Sequence, residues 1–131
     1  VLEALPMSLI DFFTMEMKPK QDSFFSVEDL VELSEGGSSL LLVGASRKNR
    51  KLRVLHETYP PGSGSGDNMI SHAGEEAGVV TKGTIRITLG NEVRDLKAGE
   101  AYYIDSLMPH SFNNVSAEEC QIVSAATPPS F

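Results

Sequence analysis

From Ser23 onward the chain is cut into short apolar segments rich in Val, Ile, Leu, Phe and Tyr, each closed by Gly, Asn, Asp or Pro. This punctuation is that of an all-β domain. It predicts strands over residues 24–33, 39–45, 52–59, 69–72, 77–82, 84–89, 92–96, 101–104, 110–114 and 120–126. Ile85, Ile87 and Leu89 alternate with Thr84, Arg86 and Thr88, so that strand buries one face. Gly90-Asn91 has the chemistry of a two-residue hairpin, with glycine suited to the first central position of a II′ turn. So many short strands in so short a chain mean a sandwich or a barrel.

Residues 1–15 follow a different pattern. Leu2, Leu5, Leu9, Ile10, Phe12 and Phe13 recur at near-helical spacing, and Ser8 stands where an N-cap would. Pro6 divides the run, so two short helical turns are expected over a leader of residues 1–16. Residues 17–22, with Pro19 among polar neighbours, read as a linker, and 23–131 as the β domain. The chain opens on Val1, not Met, and an apolar leader needs something to pack against: one end of the following domain or a neighbouring domain upstream.

The chain has 131 residues, 40% hydrophobic and 22% charged, enough for one compact domain whose fold rests on packing. Its one cysteine, Cys120, excludes an internal disulfide and fits the role of a small buried hydrophobe. No apolar run reaches the length of a membrane span and no secretory signal opens the chain, so a cytoplasmic protein with no membrane partner is expected. The net charge of -7 is the wrong sign for phosphate neutralisation by this piece. The basic residues are uneven, however, because Arg47, Lys48, Arg50, Lys51 and Arg53 fall within seven positions. That run reads either as a solvated hairpin loop or as a contact for DNA or an acidic partner.

Three residues have spacing that lets them converge. His72 and Glu76 are an even number apart, so on an extended strand they share a face, with Ile70 on it too; Glu75 has the opposite parity and faces outward. His110, on a later strand, would reach them from across the barrel. Two imidazoles and a carboxylate can bind a divalent metal, zinc or non-haem iron. Alternatively they hydrogen-bond an organic ligand or one another. His56 carries no such spacing and is left to an ordinary core or surface role.

The glycines around these residues extend the pattern. The chain shows Gly64, five residues, Ile70, one residue, His72, three residues, Glu76, six residues, Gly83, and later Gly99, ten residues, His110, three residues, Asn114. This closely resembles the two-part signature of the cupin superfamily. Ile70 stands where the first motif has its first histidine, and Asp105 and Leu107 replace the Pro and Gly of the second. The resemblance implies a cupin double-stranded β-helix, a jelly-roll barrel, with one metal ligand lost and a metal permitted but not required. Residues 72–114 and the closing ATPPSF, 126–131, further resemble the C-terminal cupin sensor of XRE-type helix-turn-helix regulators. LEALPMSLIDFF, 2–13, is similar to the last helix of the DNA-binding domain of such regulators.

The narrower resemblance implies a homodimeric, small-molecule-sensing module that meets DNA only through a helix-turn-helix part upstream of Val1. Its effector would be an amine, an amino acid or a related metabolite, held near His72, Glu76 and His110. Tyr102, Tyr103 or Phe112 would wall the site, and only one of the adjacent tyrosines can face inward on a regular strand. The rival reading is a stand-alone metal-dependent enzyme, a small dioxygenase or isomerase. Beyond the tyrosines, however, the motif strands offer no clear proton donor.

Overall fold

A computed structural model describes residues 22–65, 69–129 and 131. The expected leader of residues 1–16 lies outside these, as does the linker except for Asp22. After a short 3-10 helix, Val27–Asp29, nine strands follow in chain order: β1 (Val31–Glu35), β2 (Ser38–Val43), β3 (Arg53–Tyr59), β4 (Glu75–Lys82), β5 (Thr84–Leu89), β6 (Glu92–Lys97), β7 (Ala101–Asp105), β8 (His110–Asn113) and β9 (Cys120–Thr127). They form a six-stranded sheet, β1-β2-β3-β9-β4-β7, and a three-stranded sheet, β6-β5-β8. Every pairing is antiparallel.

Two expected strands are corrected. The first, over 24–33, begins only at Val31, because Ser26 and Asp29 close a capping box around the 3-10 turn and divert the backbone. The expected strand at 69–72 reduces to one bridge, Ile70 with His110. There the His72 N–H donates to the Ser106 carbonyl instead of extending a ladder, and the chain turns at Gly74 before β4 starts. The Gly90-Asn91 hairpin forms as expected, with Leu89 opposite Glu92 and Gly90 at φ +61°.

The inward positions follow the pleat. On β3 they are Arg53, Leu55, Glu57 and Tyr59; on β9, Cys120, Ile122, Ser124 and Ala126. Two apolar clusters result. Tyr59, Val80, Ile85, Ile87, Phe112, Cys120 and Ile122 form the larger, and Leu40, Leu42 and Leu55 the smaller. Cys120 is wholly buried in the larger cluster, as its small apolar reading requires, and burial pushes its thiol up to about 11. Asn114 closes the end of β8: its amide donates to the Tyr59 and Glu118 carbonyls while its oxygen accepts from the Ser116 N–H and hydroxyl. No helix of the described residues is long and apolar enough to cross a membrane.

Candidate functional site

A cavity of about 270 Å³ opens into the barrel, with Leu40, Leu55, Ile70, Phe112 and Phe131 as its apolar walls. Its polar lining includes Arg53, Glu57, Tyr59, His72, Glu76 and His110. A buried ionised group is costly unless it is paired or hydrogen-bonded.

His110 is 1% exposed, and its Nδ1 lies 2.8 Å from the Met108 carbonyl. A carbonyl only accepts, so Nδ1 is the nitrogen that donates here, which turns Nε2 toward the cavity side of the ring as the position open to a further partner. That Nε2 is buried and makes no hydrogen bond among the described residues. His72 packs edge-on to it, with ring centroids 5.3 Å apart. Glu76 lies at the start of β4, inward where Glu75 is outward, as parity requires. Its Oε1 is 3.4 Å from an Arg53 guanidinium nitrogen, and its Oε2 accepts the Tyr102 hydroxyl at 2.8 Å. One ligand atom from each of His72, Glu76 and His110 lies within 4.8 Å of the others.

A second carboxylate lies deeper. Glu57 is 4% exposed and accepts hydrogen bonds from the hydroxyls of Tyr59 and Ser124. Burial pushes its carboxyl above the ordinary range; the two hydroxyls and Arg53 oppose that rise, and the charge of Glu76 reinforces it. Burial, with the nearby carboxylates, likewise holds the Tyr59 and Tyr102 hydroxyls protonated, so both remain donors. Among the described residues the cavity thus holds two carboxyl groups against one guanidinium.

Comparison with known proteins gives the family. The family model for the cupin domain matches residues 55–126. The chain belongs to the cupin family. Over 132 aligned residues it is 39% identical to the HTH-type transcriptional regulator PuuR of Escherichia coli (strain K12), which covers all of this chain and 71% of that protein. Among solved structures, an RmlC-like cupin from Shewanella frigidimarina NCIMB 400 matches at a TM-score of 0.69 and 15% identity, over 83% of this chain and 93% of that one. The Cupin_2 domain of an XRE family transcriptional regulator from Enterobacter cloacae matches at 0.61 and 18%, over 70% and 97%. These two show the fold.

Within this cupin barrel, four of the residues singled out from sequence, His72, Glu76, His110 and Phe112, line one cavity. His72 and Glu76 do so without sharing a strand, because the chain turns between them. The fifth, Tyr102, is not a wall of that cavity but lies beside it. Of the two tyrosines it is the inward one, and Tyr103 is 70% exposed. The Tyr102 ring lies over Gly78, packs edge-on to Phe112 at 5.1 Å between centroids, and sends its hydroxyl to Glu76. It is a positioning group.

Sequence reasoning missed Arg53, Glu57, Tyr59 and Ser124 as site residues. The signal was present in β3, where Arg53 and Glu57 share parity with Leu55 and Tyr59. Arg53 was counted with the basic loop, yet it is buried beside Glu76, with its guanidinium carbon 4.8 Å from the centroid of the Phe131 ring.

The donor set fits a divalent ion on its own chemistry. The Nε2 of His110 is buried without a hydrogen bond among the described residues, and His72 and Glu76 converge on it. The Arg53 cation beside Glu76 competes for the same carboxylate, so an ion would bind more weakly than the donor count alone suggests.

Proposed function

We propose that this chain is the effector-sensing cupin domain of a cytoplasmic helix-turn-helix transcriptional regulator, not an enzyme, and that its cavity takes a small ammonium-bearing metabolite, an amine or an amino acid. The observation that carries the regulator reading is the 39% identity to an HTH-type regulator along the whole chain. The excess of buried carboxylate over guanidinium supports the effector class, because a bound ammonium supplies the missing counter-charge where water is excluded.

In this reading Glu76 and Glu57 hold the cationic end. The His110 Nε2 accepts one of its N–H groups, His72 and Phe112 pack against its carbon skeleton, and Tyr102 keeps the Glu76 carboxylate aimed inward. A cation beside Glu57 favours its charged form and so opposes the rise that burial imposes on this carboxyl. His72, Glu76 and His110 would also be the ligands of a zinc, iron or similar divalent ion, which when bound would supply a Lewis-acidic anchor for an effector oxygen or nitrogen. A homodimer is supported by the outer face of β4, β7 and β9, where Val79, Tyr103 and Val123 are exposed beside Ala77 and Ala125.

Calorimetric titration with a panel of primary amines, diamines and amino acids tests the site. At least one should bind, and His72→Ala with His110→Ala should weaken it at least tenfold. Unchanged binding in that double variant would remove the assignment.

A further inference from the structure

The connection between β2 and β3 carries Arg47, Lys48, Arg50 and Lys51 with no acidic residue between Gly44 and Leu52. In a chain of net charge -7 this is the exception. Elsewhere Arg53, Lys82, Arg86 and Arg94 each face a carboxylate: Glu76, Glu119, Asp95 and Glu92. In the loop, Arg47 donates to the Asp22 carbonyl, and Arg50 to the carbonyls of Leu52 and Phe131. Carbonyl partners fix Arg47 and Arg50 in place but leave the positive charge of these two uncancelled. Lys51 is exposed.

The loop also has a defined place relative to the rest of the chain. Residues 22–25 lie against it, through the 2.7 Å bond from Arg47 to the Asp22 carbonyl and through Phe25, which shares a groove with Val43, Gly44 and Lys51. Asp22, where the described residues begin, therefore lies beside this concentration of positive charge. In the regulator reading that is the side on which the DNA-binding part is attached.

We propose that this loop is an interaction surface for DNA phosphates, adding sequence-independent backbone contacts to those of the helix-turn-helix part. The inference rests on the regulator reading and goes beyond it, since it gives the cupin half a direct share in DNA affinity. Phosphates suit the loop because Arg47, Arg50 and Lys51 offer planar forks and a point charge with no acidic residue among them. Base readout is not part of its role, so its contribution is the same on every sequence.

The test uses the full-length gene product and a duplex carrying its own promoter, with affinity followed by fluorescence anisotropy from low to moderate salt. Each phosphate contact contributes about 0.9 to the slope of log K against log salt. Arg47→Gln with Lys51→Gln should therefore reduce the slope by about 1.8, leaving the preference for the promoter over mixed-sequence DNA unchanged. Lys97→Gln, on β6, serves as the control and should leave the slope as it is. A slope in the double variant equal to that of the wild type, with DNA binding intact, overturns this proposal alone. A wild-type protein that binds no DNA overturns the regulator reading with it.

Discussion

Gly78 is the residue on which the aim of Glu76 depends, and Gly78→Ala makes that dependence measurable. A Cβ at position 78 would lie 2.6 Å from the Tyr102 hydroxyl oxygen and 2.7 Å from two ring carbons. The ring must move, and it cannot move freely, because its edge packs against buried Phe112. Retreat gives up the aromatic contact, about 0.5–1.5 kcal/mol, and the hydroxyl bond to the Glu76 carboxylate, about 1.5–3 kcal/mol. Alanine returns about 0.5–1 kcal/mol through its lower backbone entropy. The net cost is about 1–4 kcal/mol, comparable to overpacking a core, with a midpoint that corresponds to roughly 10 °C in Tm for a domain of this size. Urea unfolding of Gly78→Ala, Tyr102→Ala and the double variant forms a cycle that isolates the cause. With the ring gone, the added methyl should cost less than about 0.5 kcal/mol. If Gly78→Ala costs as much with Ala at position 102 as with Tyr, the ring is not what glycine makes room for, and the positioning argument fails.

Asn114→Ala removes four hydrogen bonds from a buried corner, among them the amide donor to the Tyr59 carbonyl. It should cost about 3 kcal/mol in urea unfolding, and Asn114→Asp, which cannot donate, should do no better. Cys120, wholly buried with its thiol pushed up to about 11, should not react with an aromatic disulfide reagent in the native state and should react fully in denaturant. Glu57 binds its proton more tightly folded than unfolded, so the stability it contributes is present below its ordinary value of 4.5 and is lost as pH rises toward its raised native value. The stability of the wild type relative to Glu57→Gln should therefore fall across that window. A difference independent of pH would contradict the raised carboxyl. Val79→Glu on the outer sheet face should convert the proposed homodimer to monomer in sedimentation, with the barrel still folded.

The sequence pattern located the β elements well where apolar alternation was strict. Thr84–Leu89 is the strand over the residues expected, and the turn after it is the one its glycine announced. Alternation alone could not place 69–72, because its backbone partners are the β7–β8 loop and His110, and loop partners leave no periodic trace. The metal-like triad was legible through spacing, yet its electrostatic setting was not. Arg53 reads as one more cation in a basic run until the β3–β9 register turns it inward opposite Ala126. Glu57 shares parity with Leu55 and Tyr59, but the hydroxyls of Tyr59 and Ser124 that make its burial tolerable come together only in the fold, the latter from a strand far along the chain. Tyr102 and Tyr103 were an unresolved pair until pairing with Gly78 put Tyr102 inside.

The central claim is that a cationic metabolite in this cavity changes what the regulator does on DNA. The direct measurement is the affinity of the full-length protein for its own promoter duplex, with and without each amine of the panel, in the wild type and in Glu76→Gln. The account predicts at least one amine that shifts wild-type affinity tenfold or more and leaves Glu76→Gln unmoved. An amine-independent affinity, or an equal shift in the variant, would contradict it.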